Sequence, residues 1–250
     1  MTKKKRPGSG RTPRSALVFV LVGPFADARR LARWAHAEFR KSAAVAFVGV
    51  DSGLKPLLDS GLPATLAIGD MDSPVAGARS AEALARAKGI STVRLARAKE
   101  RSDLAVAAAF AADQGAPMIY AVGFQGGRAD HDFAVHLDLS EISRRVPRVV
   151  SIGEKGATFY LSARHAPLKL RRDAVEALRE ASAPNSRRSR GLASVFPVGA
   201  PARGVRLRGL RFPALGGILS MSSQGLSNEI RGREIEVALR SGRVALFFPA

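Results

Sequence analysis

The chain has 250 residues, no cysteine and a formal net charge of +19. Its length allows one large domain or two modest ones with a real core. The missing cysteine excludes disulfides, thiolate nucleophiles and Cys-ligated zinc, and fits a reducing compartment. No apolar run reaches the ~20 residues of a membrane span, and no signal-peptide pattern follows the first basic residues.

Residues 1–15 are rich in Lys, Arg, Gly, Pro and Ser, and read as a disordered basic tail. Ala16–Gly23 is an apolar strand closed by Gly23-Pro24, and Ala26–Lys41 carries Leu31, Trp34, Ala35 and Phe39 at helical spacing. Ala43–Val50 is a second strand, ending in Asp51-Ser52-Gly53, and a short helix to Ser60 leads to strand Ala64–Ile68. That strand runs into Gly69-Asp70-Met71-Asp72, before a Ser73-Pro74 stop. Alternate residues of extended backbone point the same way, so Asp70 and Asp72 are expected to face one point, as two hard ligands suited to Mg²⁺. The simpler alternative is a surface turn.

Ala78–Lys88 is a helix stopped by Gly89, Thr92–Leu95 a short strand, and Ser102–Gln114 a helix capped by Ser102 with Asp103 in its first turn. Lys99-Glu100-Arg101-Ser102-Asp103 is thus either a good cap or a second acidic cluster. Strand Pro117–Val122 leads through Gly123-Phe124-Gln125-Gly126-Gly127-Arg128 to helix Asp130–Arg144, and Val149–Ile152 is a further strand. A glycine loop between strand and helix brings N–H groups near phosphate oxygens, and Arg128 adds a forked contact. The loop is neither a Walker A nor a dinucleotide fingerprint. His36, His136 and His165 stand as lone histidines without partners.

Strands alternating with helices imply an α/β fold: a mostly parallel sheet in a three-layer α/β/α catalytic domain over 16–156, with every strand-to-helix loop on one edge. After residue 156 short runs take over: Thr158–Leu161, Leu192–Val198, Val205–Leu210, Gly217–Met221, Glu234–Leu239 and Arg243–Phe248. They read as an antiparallel β-sandwich domain over 157–250. Lys169–Arg190 interrupts it with a helix at Ala174–Ala181 and a basic loop, Asn185–Arg190.

The positive charge is local. Residues 1–14 hold six basic and no acidic residues, and 161–211 hold twelve basic and three acidic. The remainder is close to balance, so nucleic acid is not expected as the main partner. Few aromatics lie near either basic stretch to stack bases.

Asp51-Ser52-Gly53, Gly69-Asp70-Met71-Asp72-Ser73, Lys99–Asp103, Gly126-Gly127-Arg128-Ala129-Asp130-His131, Gly209-Leu210-Arg211-Phe212-Pro213 and Ser227-Asn228-Glu229 follow one another in the order of a known family. Together they resemble thiamine pyrophosphokinase over about residues 16–250. Ser52 replaces a family glycine, Leu54-Lys55 replaces Ala-Asn, and no tryptophan stands in the β domain.

The resemblance implies transfer of a diphosphate from ATP to the hydroxyl of thiamine, with AMP released and Mg²⁺ as cofactor. It assigns Asp70, Asp72 and Asp103 to the metal, with Glu100 as outer ligand or substitute. Gly123, Gly126, Gly127 and Arg128 would hold phosphates, with Asp51, Gly53 and His131 also on the ATP. Asp130 either orients Arg128 or takes the hydroxyl proton. Ser102, Ser227 and Asn228 are assigned to thiamine, with Phe212 as a candidate aromatic surface. A cytoplasmic homodimer, paired through the β domain and with no membrane partner, completes the expectation. The alternatives are a diphosphokinase for another alcohol such as a hydroxymethylpterin, a polyanion-binding protein using the basic tail, and a non-catalytic nucleotide sensor.

Overall fold

The computed structural model describes residues 17–40, 44–72, 80–96, 100–182, 189 and 191–250. The basic tail, the Ser73-Pro74 stop, Lys99 and most of the Asn185–Arg190 loop lie outside them.

Apolar strands and amphipathic helices alternate as far as residue 153. In order they are β1 (Val18–Val22), α1 (Ala28–Glu38), β2 (Val45–Val50), α2 (Leu54–Asp59), β3 (Ala64–Gly69), α3 (Ala81–Ala87), β4 (Thr92–Arg94), α4 (Asp103–Asp113), β5 (Met118–Val122), α5 (Ala129–Ile142) and β6 (Arg148–Gly153). Strands β6-β5-β1-β2-β3-β4 are parallel neighbours in that spatial order. The order reverses beside β1, where open α/β sheets place their ligands. Side-chain alternation splits β1 between two cores. Val20 and Val22 pack with Leu31, Trp34 and Ala35 of α1, while Phe19 and Leu21 pack with Ala107 and Ala111 of α4 and Leu139 of α5. The helices therefore cover both faces, giving the three layers.

The second half contains β7 (Gly156–Ser162), β8 (Leu168–Arg171), α6 (Arg172–Ser182), β9 (Leu192–Pro197), β10 (Ala202–Arg203), β11 (Arg206–Arg208), β12 (Ile218–Leu219), β13 (Asn228–Glu229), β14 (Glu234–Ala238) and β15 (Arg243–Pro249). Strand β7 folds back on β6 through a tight turn, with Gly153 opposite Gly156. The order β13-β9-β15-β7-β6 then extends the same sheet in antiparallel fashion to ten strands. A separate three-stranded antiparallel sheet, β11-β14-β8, packs over this limb through Leu168, Leu170, Ile235 and Val237 against Val195, Val244 and Leu246. The change of pattern after residue 156 is thus a change of strand direction; the sheet and one core run straight through it.

Part of the segment read as an interruption is regular structure. β8 is a strand with alternating burial, and α6 packs on α1 and turns Val175 and Leu178 inward. Among the described residues no helix is long and apolar enough to cross a membrane.

Candidate active site

The carboxyl ends of the parallel strands carry the loops that sequence reading singled out. After β2 the chain enters a tight turn at Asp51–Gly53. A Cβ on Gly53 would lie 2.0 Å from the carbonyl oxygen of Val22, so only glycine lets this turn rest on the end of β1. Gly69, at the end of β3, meets Asp51 in the same way: a Cβ there would be 3.0 Å from the Asp51 Cα. The ends of β2 and β3 therefore touch at Asp51.

Asp70 and Asp72 come together by a route other than alternation along a strand. Met71 between them is left-handed, at φ 65°, and Asp51 is left-handed at φ 49°. Such backbone is held only where packing over-determines it. Here the Met71 side chain is 1% exposed and packs against Leu54, Ala67, Ala81 and Ala85, while its carbonyl accepts the N–H of Glu82. The buried methionine turns both neighbouring carboxylates outward. The Asp72 N–H lies 3.5 Å from Asp70 Oδ1. Burial pushes the Asp70 carboxyl above its ordinary pKa, and its contact with the Asp72 side chain and the charges of Asp51 and Asp72 add to that. Asp51 and Asp72 thus raise the electrostatic cost of ionising Asp70.

Asp103 opens α4. Ser102 caps the helix, accepting the N–H of Ala105 at 3.0 Å, and its hydroxyl donates to Asp138 of α5 at 2.6 Å. Asp51, Ser102, Asp103, His131 and Asp138 line one cavity of about 320 Å³, roofed by Phe25 and Phe124. Asp70 and Asp72 lie beside Asp51 outside this lining, and Glu100 is exposed and not among the lining residues. Among the described residues no three carboxylates or histidines close into a ready-made metal cluster. Asp70, Asp72, Asp103 and Glu100 do not close into such a cluster by themselves; Asp51 is the acid common to both groupings.

The glycine loop after β5 lies against the loop after β1. A Cβ on Gly123 would sit 2.2 Å from the Ala26 nitrogen, and one on Gly127 would sit 2.6 Å from Phe25 Cζ. The Gly126 N–H donates to Asp132 Oδ1 at 3.0 Å, so that donor is already engaged. Arg128 precedes α5 and makes a forked contact with Asp130, at 3.1 and 2.5 Å, while Asp130 Oδ1 also accepts the N–H of His131. The Arg128 guanidinium holds the Asp130 carboxyl below the usual carboxylate range. Both side chains are exposed, which leaves the fork open to an incoming anion.

The residues that departed from the family pattern have structural explanations. Leu54 is fully buried under Met71, and Lys55 pairs with Asp59 on α2 at 2.5 Å. Asn228, expected against thiamine, is 4% exposed and makes three hydrogen bonds: Oδ1 accepts from the N–H groups of Phe212 and Glu229, and Nδ2 donates to the Phe212 carbonyl. It pins the Gly209–Pro213 stretch in place. Ser227 is exposed and left-handed, and its N–H donates to Ser194. Phe212 is half-exposed, with Arg211 over its ring at 5.1 Å.

Two features were missed. Asp138 gave no local signal, although its spacing from His131 places both on one face of α5. His136, read as partnerless, is linked to Gln125 and Tyr160.

Acids from several strand ends lie beside a glycine loop and a helix start, at the point where strand order reverses and open α/β sheets place their ligands. Residues 38–150 match the family described as thiamin pyrophosphokinase, catalytic domain. The fold matches thiamine pyrophosphokinase from Bacillus subtilis, with a TM-score of 0.69 at 18% identity, covering 94% of this chain and 99% of that one. The enzyme from Geobacillus thermodenitrificans gives 0.67 at 20% identity, with 94% and 97% covered. Thiamin pyrophosphokinase from Candida albicans gives 0.65 at 14%, with 94% and 89% covered. No curated protein matches the sequence. Residues 38–150 are thus similar to the catalytic domain of that family, and the chain shares the fold of these enzymes.

Proposed function

We propose that this protein is a thiamine diphosphokinase, moving the diphosphate of ATP to the hydroxyl of thiamine and releasing AMP. The observation that carries the reading is the grouping of Asp51 with Asp103 on one cavity and with Asp70 and Asp72 on its rim, within the region matching the family's catalytic domain.

The donor set suits Mg²⁺. That ion is usually held by one or two carboxylates plus substrate phosphates and water, so a closed three-carboxylate cluster is not required. Asp51, Asp70, Asp72 and Asp103 are hard oxygen donors, and burial together with neighbouring negative charge already works against ionisation of Asp70. When bound, the cation neutralises phosphate charge. Asp70, Asp72 and Asp103 would hold it, with Glu100 as an outer ligand.

In the reaction the thiamine oxygen bonds to the β-phosphorus, and the bond from that phosphorus to the oxygen bridging to the α-phosphate breaks. The hydroxyl proton leaves to a base and AMP departs with the bridging oxygen. The protein's part is to position the reactants and neutralise charge. Arg128 swings between Asp130 and the transferring phosphates, and the exposed N–H groups at the start of α5 face the same anion. Gly53 and Gly123 keep the loops low enough for the nucleotide to reach Asp51 and His131. Asp130 serves as the orienter of Arg128, because its depressed pKa makes it a poor proton acceptor.

Ser102 and Ser227 remain the polar contacts for thiamine, with Phe212 as its aromatic surface. Residues 157–250 form the thiamine-binding and pairing region of a cytoplasmic homodimer. Exposed Phe212, Leu215, Ile218, Met221 and Leu226 within this one region support such pairing.

The test is a product assay with ATP, Mg²⁺ and thiamine, beside a parallel reaction with a hydroxymethylpterin. AMP and thiamine diphosphate in equal amounts are expected. AMP formed only with the pterin would reassign the acceptor, and ADP as the nucleotide product would overturn diphosphate transfer.

A further inference from the structure

Helices α4 and α5 are joined twice. Leu104, Ala107, Ala108 and Ala111 of α4 share a buried core with Val135, Leu139 and Ile142 of α5. The Ser102 hydroxyl adds a polar link, donating to Asp138 Oδ2 at 2.6 Å across 36 residues of sequence. The apolar core already fixes how the helices lie, so the polar link is not needed to hold them together. Among the described residues Asp138 makes no ion pair, and Ser102 is its hydrogen-bond partner. Both residues line the cavity of about 320 Å³ that holds Asp51 and Asp103.

A serine hydroxyl has one proton and two lone pairs. At Ser102 the proton goes to Asp138, and one lone pair takes the Ala105 N–H at 3.0 Å. One lone pair is left. With the proton committed, a polar group that meets Ser102 Oγ in the cavity has to be a donor.

We propose that Asp138 is a positioning residue for diphosphate transfer: by holding the Ser102 proton it keeps Ser102 a pure acceptor for the O–H of the attacking alcohol. The inference rests on the transfer reading above. The alcohol donates to Ser102 Oγ, and its own lone pairs stay free to form the bond to the β-phosphorus. Ser102 and Asp138 change no covalent bond, and the alcohol's proton leaves to a base as already described. Without Asp138 the Ser102 proton is free to turn onto the alcohol oxygen and occupy the lone pair that should attack. The alcohol then binds in an unproductive orientation, so the loss falls on kcat and not on KM.

Steady-state kinetics of the full chain with ATP, Mg²⁺ and whichever alcohol it turns over, thiamine or a hydroxymethylpterin, is the test. Asp138→Ala is expected to lower kcat at least about tenfold, with both KM values within about threefold. Asp138→Asn, whose amide oxygen still accepts the Ser102 proton, is expected to recover most of that loss. Because Asp138 acts only through Ser102, adding Asp138→Ala to Ser102→Ala is expected to slow the enzyme no further. Mn²⁺ binding with a non-hydrolysable ATP analogue, read by electron paramagnetic resonance, is expected to be unchanged in Asp138→Ala. A folded Asp138→Ala with unchanged kcat overturns the proposal, as does a loss confined to KM or a double variant slower than Ser102→Ala. Asp138→Asn as slow as Asp138→Ala overturns it in favour of proton transfer to the carboxylate. Weakened Mn²⁺ binding overturns it in favour of a displaced Asp103. If neither alcohol yields AMP, the transfer reading fails and takes this proposal with it; if one does and Asp138→Ala keeps the full rate, this proposal alone fails.

Discussion

Replacing Met71 tests how the acidic loop is built. The side chain is 1% exposed and fills a small core formed by Leu54 and three alanines, Ala67, Ala81 and Ala85. Truncating a buried methionine to alanine costs about 2–5 kcal/mol, more where the surroundings cannot close in. Short alanine side chains fixed on β3 and α3 have little reach to fill the space, so Met71→Ala is expected to lose about 3–4 kcal/mol. The backbone supplies a second, opposite test. At φ 65° alanine retains the left-handed strain of roughly 1–2 kcal/mol, whereas glycine relieves it. Glycine's extra unfolded-state entropy offsets about 0.5–1 kcal/mol of that gain. Met71→Gly is therefore expected to be at least as stable as Met71→Ala, although glycine is normally the worse residue. Urea unfolding of the three proteins gives both numbers. A loss below about 1 kcal/mol in Met71→Ala, or a Met71→Gly clearly less stable than Met71→Ala, would refute the anchoring argument.

Three further outcomes follow from the same geometry. Gly53→Ala forces a Cβ to within 2.0 Å of the Val22 carbonyl oxygen, so thermal unfolding should show a loss of about 2 kcal/mol or more. Arg128→Ala, at an exposed ion pair, should leave stability essentially unchanged and raise the KM for ATP about tenfold; an unchanged KM removes Arg128 from the phosphate site. His136 is held neutral by burial, so its folded pKa lies below its unfolded value. Its contribution is complete above about pH 6.5 and is lost as pH falls through the range between the two values, where the unfolded chain binds the extra proton. The drop in unfolding free energy from pH 7.5 to about 5.5 should therefore be smaller in His136→Gln, and an equal drop would show that His136 does not titrate this way.

The catalytic half was legible because its strands are continuous apolar runs and its helices carry caps. Ser102 before Asp103 marked a helix start that a side-chain capping bond realises. The β half was harder to read. β10 and β13 are two residues each and owe their existence to pairing partners distant in sequence, which no local pattern encodes. The acidic loop was found for a partly mistaken reason. Asp70 and Asp72 were expected to align by strand alternation, but a buried left-handed Met71 arranges them. The resemblance assigns Asn228 to thiamine; the fold adds that Phe212 and Glu229 use its amide, which no local pattern encodes. The His136–Tyr160 contact joins residues 24 apart on different elements, so a lone histidine in the sequence carried no sign of it.

The central claim is that carboxylates from separate strand ends hold one divalent cation against a nucleotide's polyphosphate. Titration of Mn²⁺ into the protein with a non-hydrolysable ATP analogue, followed by electron paramagnetic resonance, measures this directly. One saturable ion per chain is expected, dependent on the analogue and weakened at least about tenfold in Asp72→Asn, with the circular dichroism spectrum unchanged. Equal Mn²⁺ binding in the unaltered protein and in a folded Asp72→Asn would contradict it.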